Sequence, residues 1–451
     1  MSGGDTFEEV VARVRERVDP DEEERERLRR TAEVLIDRAE TAIDSLDLDA
    51  DVLQVGSTAR GTWVSGERDI DVFVRFSTDL PRPELERLGL QVGKRVLPAG
   101  REEYADHPYV TGTLNGFDVD LVPCYRVPSA DRIKSPVDRT PFHNDYVAER
   151  IDPAVAADVR VLKRFLAGIG AYGSDLKTRG FSGYLTELLV LEYGDFESVL
   201  LAAGDWHPPV YLDPAGHGRD AFDDPLVVVD PTDPDRNVAA VVSSDNVARF
   251  QHHARAFLAE PTESRFDPAT PDALDGAGVR DHVEARSTVP IAVRFDPPDV
   301  VDDQLYPQLR RSLDGLVGGL ERHGFEVLRG TVFARETAAI FVELAAAELP
   351  AVERHEGPPV HVAEHARDFY ETYEETDAYG PFIDGDRYVV ERERTIRTAR
   401  DFVEERLFDV ALGAQVESAL EDGYEILRGR DVADLAPEFG TDLARYFDPA
   451  P

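Results

Sequence analysis

The chain has 451 residues, enough for two or more domains that each bury a core. Its 90 Asp and Glu against 50 Lys and Arg leave a net charge of −40, which excludes a globally basic nucleic-acid-binding surface. The single cysteine, Cys124, excludes an intrachain disulfide and a cysteine-built zinc site, and no apolar run approaches the ~20 residues of a membrane span.

The opening stretch predicts two helices, Thr6 to Arg17 and Asp21 to Ser45, separated by Asp19-Pro20. In the second, Leu28, Ala32, Leu35, Ala39 and Ile43 recur at helical spacing. Strands are expected at Val52 to Val55, Ile70 to Phe76 and Val119 to Val122, with a helix near Pro83 to Leu97, giving a mixed sheet covered by helices. Helical patterns dominate from Pro153 to Glu260, interrupted by the Pro/Gly/Asp-rich stretch His207 to Asn237. A second such stretch, Pro261 to Gly278, reads as a linker. Beyond it a strand at Val289 to Phe295, a helix from Asp303 to His323 and strands around Val327 to Phe333 and Ala338 to Leu344 suggest a small α+β module resembling an RNA-recognition fold. The remainder reads as helical and acidic. With no basic-then-apolar segment at its start, the sequence is that expected of a soluble, cytoplasmic protein.

Chemistry concentrates between Val55 and Phe76, in VGSTARGTWVSGERDIDVFVRF. A strand runs into Gly56-Ser57, and a second strand presents Asp69 and Asp71 two positions apart, hence on one face. Two acids on one face of a buried strand repel each other and are tolerated mainly where a cation sits between them. Ser57 and the amides around Gly56 can cradle a phosphate, which together with the acids suggests a divalent metal and a nucleoside triphosphate. In GFDVDLVPCYRV, Asp118 and Asp120 also alternate with apolar residues, so one of them can approach the first pair from a neighbouring strand. Three carboxylates around two metal ions are the usual apparatus of in-line phosphoryl transfer. The bland alternative is a solvated strand face in an acidic chain.

Gly-Ser, a spacer and acid-apolar-acid form the signature of the DNA polymerase beta-type nucleotidyltransferases, which this chain resembles. More closely it resembles the archaeal-type, or class I, CCA-adding enzymes. The likeness extends through the stretch from His107 to Tyr125, DRTPFHNDYV from Asp138, the helix from Val159, DPTDPDRNVAA from Asp230 and, more weakly, the C-terminal part. It implies an α+β architecture: a nucleotidyltransferase head with a mixed sheet (1–148), a helical central domain (149–262) and an α+β tRNA-binding body and tail (263–451). The implied activity is template-independent addition of C, C and A to the 3′ end of tRNA from CTP and ATP, releasing pyrophosphate. A homodimer stays open as a further partner state.

The resemblance also implies roles. Asp69 and Asp71 would hold two Mg2+ ions, and Asp120 the ion that activates the terminal hydroxyl. Gly56 and Ser57 would meet the triphosphate, Arg60 the triphosphate or the RNA end, Thr140 and His143 the triphosphate and sugar, and Lys163 and Tyr172, near Lys177 and Arg179, the triphosphate again. Arg236 falls where relatives read the incoming base, and His107 lies in a matching segment. Each residue has a plainer reading: Arg60 pairing with a surface acid, Lys163 and Lys177 as leftover surface lysines, the histidines as structural, Asn237 as a helix cap. Asp69 stands where many relatives have Glu, and the acidic segment Asp213 to Asp224 has no counterpart reason beside RNA. A poly(A) polymerase would share the acids without the Arg236 segment, and a non-catalytic RNA-binding protein would lack the need for all three.

Only Lys94, Lys134, Lys163 and Lys177 are lysines, a pattern that resembles a halophilic archaeal proteome. In concentrated salt the screening length falls to about 3 Å or less. Counterion release then adds little to RNA binding, leaving shape, stacking and short hydrogen bonds to hold the tRNA.

Overall fold

Thr6 opens the first helix, α1 (Phe7–Val18), with a reciprocal capping box: its hydroxyl accepts from the Glu9 amide and the Glu9 carboxylate accepts from the Thr6 amide. Asp21 caps α2 (Glu22–Ser45) through the Glu24 amide, and the residues at helical spacing form its buried face. The structure, a computed structural model, describes residues 5–104 and 107–451. The chain divides after Ala269 into two units.

In the first unit β1 (Ala50–Val55) runs directly into the short helix α3 (Gly56–Arg60). Then come β2 (Asp69–Phe76), α4 (Arg82–Val96), β3 (Arg101–Tyr104), β4 (Pro108–Leu114) and β5 (Phe117–Tyr125). The sheet order is β1-β2-β5-β4-β3, and only the β2–β5 pair is parallel. Ile70, Val72 and Val74 of β2 and Val119 and Leu121 of β5 are buried in one core with α2 and α4. The alternate positions 69, 71, 118 and 120 therefore face away from that core. The sequence reading missed β3 and β4, because REEY is charged and exposed and PYVTGTL is broken by Pro and Gly.

A second core in this unit forms among α5 (Thr140–Ala148), α6 (Pro153–Gly168), α7 (Gly183–Tyr193), α8 (Phe196–Gly204) and α9 (Ser244–Ala259). Edge-to-face phenylalanines dominate it: Phe165 meets Phe250, Phe257 and Phe266. Helix α1 belongs here too, through Val10 and Val14. Phe266 lies in a 3-10 turn inside the expected linker, so that stretch is partly core.

The Pro/Gly/Asp-rich stretch is also ordered. It forms a three-stranded sheet from β6 (Val210–Leu212), β7 (Leu226–Asp230) and β8 (Asp233–Asn237). Asn237 locks it by accepting from the Val228 and Ala239 amides at 2.9 and 2.8 Å and donating to Asp224 and the Leu226 carbonyl. It is not a helix cap, since Ser243 caps α9. The acids of the 213–224 segment build turns: the Asp213 carboxylate accepts from the His217 and Gly218 amides at 3.1 and 2.8 Å.

The second unit contains α10 (Gly276–Arg286), β9 (Val289–Phe295), α11 (Asp302–Arg322), β10 (Val327–Ala334) and β11 (Ala338–Leu344). After these come β12 (Val352–Pro359), α12 (Ala363–Tyr373), β13 (Tyr379–Asp384), β14 (Arg387–Glu393) and α13 (Ala399–Arg406). The last elements are α14 (Ala414–Asp422), β15 (Glu425–Arg428) and α15 (Ala436–Phe447). The antiparallel sheet β10-β11-β9-β15 has the split β-α-β-β-α-β connectivity expected of the RNA-recognition-like module, with β14 between β12 and β13 in a separate inserted sheet. The remainder is thus not only helical. An RNA-recognition domain stacks bases on aromatics of an open sheet face. Here that face is closed: Phe333 stacks on Phe439 and Phe341 packs against Tyr446, both from α15.

Candidate active site

Parallel register sets Asp69 beside Asp118 and Asp71 beside Asp120. Alternation points all four carboxylates the same way, so both acids of β5, rather than one, reach the first pair. Burial drives the Asp71 carboxyl up to about 6, and the charges of Asp120 and Asp69 push it the same way against the pull of Arg60. Asp69 is raised by burial and then by Asp118 and Asp120. A cleft of about 690 Å³ opens on Asp69, Asp118 and Asp120, walled by Tyr109, Thr111 and Thr113.

Gly56 brings the backbone onto these acids. Its φ is +82°, and a Cβ at this position would lie 2.2 Å from Asp71 Oδ2. Only glycine satisfies both conditions. The β1-to-α3 turn therefore rests on the Asp71 carboxylate, with Ser57 half-buried in the same turn.

Behind the acids lies a buried polar cluster. The guanidinium of Arg60 pairs with Glu187 at 2.9 Å and donates to Asn144 Oδ1 at 3.2 Å, and the Glu187 side chain has no exposure. Arg60 thus pairs with a buried acid from α7, not a surface one. Lys163 is 2% exposed, which removes the leftover-surface-lysine reading for this residue; burial lowers its pKa while Glu187 opposes the shift. The Tyr172 phenol is pushed upward by burial, then by Glu67 and Glu187. Tyr172 and Lys163 flank Gly183, where a Cβ would stand 3.2 Å from the hydroxyl and 3.7 Å from Nζ. Lys177 is exposed, apart from this cluster's buried members.

A third cluster assembles on Asp230. His143 Nε2 and the Arg236 guanidinium both donate to Oδ2 at 2.7 Å. His143 also stacks on Tyr184, with centroids 4.1 Å apart at 17°. Burial lowers the His143 pKa against the opposing pull of Asp230. Thr140 starts α5, the helix that carries His143. His107 behaves differently: it is buried, with Nε2 2.9 Å from Ser135 Oγ and Nδ1 3.4 Å from Glu86. Its ring is a brace inside the head, between Ser135 and Glu86.

The sequence reading missed Glu187, Asp230, Tyr184 and Asn144. Glu187 did leave a signal, an acid among the apolar residues of YLTELLVLEY, where a charge must be either buried and paired or out of place. Asp230 left none, because it sits in a Pro- and Asp-rich hairpin and its distant partner, His143, comes from another element.

Three family models match the chain: a nucleotidyltransferase domain at residues 36–143, the second domain of tRNA nucleotidyltransferases at 157–267 and the C-terminal domain of CCA-adding enzymes at 286–429. The chain is 61% identical over 444 residues to the CCA-adding enzyme of Halobacterium salinarum, covering 98% of both chains. It is 57% identical over 464 residues to that of Haloarcula marismortui, covering 99% of this chain and 100% of that one. To that of Methanosarcina barkeri it is 43% identical over 434 residues, covering 95% of each.

Proposed function

We infer the chemistry of the carboxylate face from the premise that this chain belongs to the CCA-adding enzyme family. The chain is a tRNA nucleotidyltransferase, and its reaction is addition of C, C and A to the 3′ end of tRNA from CTP and ATP. The observation that carries the site assignment is the register of β2 and β5, which collects Asp69, Asp71 and Asp120 on one face under the Gly56 turn.

The donor set fits Mg2+. Carboxylate oxygens are the hard ligands it prefers, and a cation relieves the repulsion that raises Asp69 and Asp71. Among the described residues no three His, Cys, Asp or Glu side chains close into a metal cage. Mg2+ does not ask for one, since it usually takes one or two carboxylates and completes its shell with water and substrate phosphate. Asp69 and Asp71 would hold both ions and Asp120 the one beside the attacking 3′ hydroxyl. When bound, the ions lower the hydroxyl pKa and offset charge on the leaving pyrophosphate.

The remaining residues position the nucleotide. Ser57 and the amides at Gly56 supply donors to the triphosphate, Thr140 and His143 stand beside it, and Arg60, Lys163 and Tyr172 back it from the buried cluster behind the acids. Arg236 keeps 36% of its side chain exposed while tethered to Asp230, so its guanidinium can offer N–H donors to the incoming base. No helix among the described residues is long and apolar enough to cross a membrane. We place the enzyme in the cytoplasm with its tRNA.

Counting Mn2+ bound in place of Mg2+, by electron paramagnetic resonance with CTP and truncated tRNA ending in a 3′-deoxy residue, tests the assignment. Two ions per chain are expected above about pH 7. Below about pH 6 the Asp71 carboxyl is protonated and must lose its proton to bind, so affinity should fall by up to about tenfold per pH unit. A single ion, or binding indifferent to pH, would contradict it.

A further inference from the structure

Asp230 ends β7 with no exposed surface and serves four donors. The Thr232 amide and hydroxyl reach Oδ1 at 2.9 and 2.8 Å. His143 Nε2 and the Arg236 guanidinium each reach Oδ2 at 2.7 Å. The two bonds on Oδ1 fix the plane of the carboxylate, so Oδ2 is offered to its partners in one orientation. Tyr184 clamps His143 from its ring face. Arg139 pairs with Asp233 at 2.8 Å and ties α5 to the start of β8.

A long arginine side chain samples many rotamers unless its end is held, and a charge-assisted hydrogen bond to a rigid carboxylate holds it. A buried carboxylate in turn is stable only with its donors in place. Each side of this cluster therefore fixes the other. His143 comes from α5 and Arg236 from β8, and among the described residues Asp230 is the one side chain that bonds to both.

We propose that Asp230 is a positioning residue for nucleotide choice: it holds Arg236 in one orientation relative to His143, so that the base is read against a triphosphate whose place is set. The proposal rests on the reading of Arg236 as a base contact and His143 as a triphosphate and sugar contact. The base offers hydrogen-bonding edges at defined positions, and a donor displaced by a fraction of an ångström leaves them unpaired. Discrimination falls before binding does.

The test measures kcat/KM for CTP, ATP, UTP and GTP on truncated tRNA with the full-length enzyme at molar KCl, for Asp230→Asn, Arg236→Ala and the double variant. Asparagine keeps the shape and an acceptor for Thr232 but cannot present an anionic oxygen to both His143 and Arg236. Discrimination against the wrong nucleotides should fall by about tenfold or more in D230N, measured below its lowered thermal midpoint, with tRNA affinity near wild type. The double variant should be no less selective than R236A alone, because Asp230 acts through Arg236. A merely structural aspartate would lower all four rates together, and its loss would add to that of R236A. Either pattern overturns the proposal, as does wild-type discrimination in D230N when R236A has lost it. Wild-type discrimination in R236A would instead overturn the base-contact reading, and this proposal with it. Should D230N fail to fold, Thr232→Val removes one of the two bonds that orient the carboxylate. It is expected to give part of the same loss, and unchanged selectivity there counts against the proposal.

Discussion

Asparagine at Asp69, Asp71 or Asp120 is expected to lower turnover by about three orders of magnitude or more while tRNA affinity stays within about a few-fold. The exchange keeps side-chain size and removes the charge that would bind metal. Metal-assisted stabilisation of the transition state is worth several kcal/mol, and each ~1.4 kcal/mol is a factor of ten. The same substitution should not cost stability. In the metal-free fold the Asp71 carboxyl sits above its unfolded value, so stability is highest below that unfolded value, falls as the pH rises through the folded pKa of about 6, and stays lowered above it. Asp71→Asn removes that loss, and its melting temperature at neutral pH without metal should equal or exceed wild type. Asp118 stands beside Asp69 and helps raise it, so Asp118→Asn should adjust metal affinity and leave most of the turnover. An essential Asp118 with a dispensable Asp120 would reverse the third ligand's assignment. Single-turnover rates, tRNA affinity and melting curves for the four variants decide these points.

Removing salt should loosen or unfold the protein, and molar KCl should restore it. A net charge of −40 means that surface acids repel one another over the whole molecule. The screening length shortens from about 10 Å at 0.1 M to about 3 Å at 1 M, which removes most of that repulsion. Exposed ion pairs such as Arg29–Glu33 and Arg400–Glu404 weaken in the same range, but solvent already screens them and they add little to stability. The distributed repulsion wins. The clusters on Glu187 and Asp230 are shielded by burial and should hold their geometry throughout. Thermal midpoint and activity should therefore rise with KCl to about 1 M or more, while tRNA affinity changes little because few phosphate contacts release counterions. Full stability at low salt, with affinity falling steeply as salt rises, would contradict this and would require a concentrated basic surface.

The acids were legible because a strand repeats every two residues: DID and DVD can each show only one face when Ile70 and Val119 are buried. Which acid of β5 belongs to the site was not, since Asp118 and Asp120 share that face and only register separates their neighbours. Long, strongly periodic elements such as α2 and α11 were found within a residue or so. Strands β3, β4, β6, β7 and β8 were lost to Pro, Gly and charge, although tertiary hydrogen bonds such as those of Asn237 hold them. The closed face of the C-terminal sheet was invisible for another reason. Its covers, α10 and α15, lie before and after the module in the chain, and α15 buries Phe439, Leu443, Tyr446 and Phe447 in a stretch that read as acidic. Lys163 and Arg60 were legible as residues but not as a pair, because their shared partner Glu187 belongs to a helix that looked like plain core.

The most direct test of the account is to sequence the 3′ ends of a tRNA lacking its terminal C, C and A after incubation with the enzyme, CTP, ATP and Mg2+ in molar KCl. The account predicts that C, C and A are added in that order and that addition then stops, with CTP required before any ATP is used. Long adenosine tracts made without CTP, or ends left unchanged with no pyrophosphate released, would contradict it.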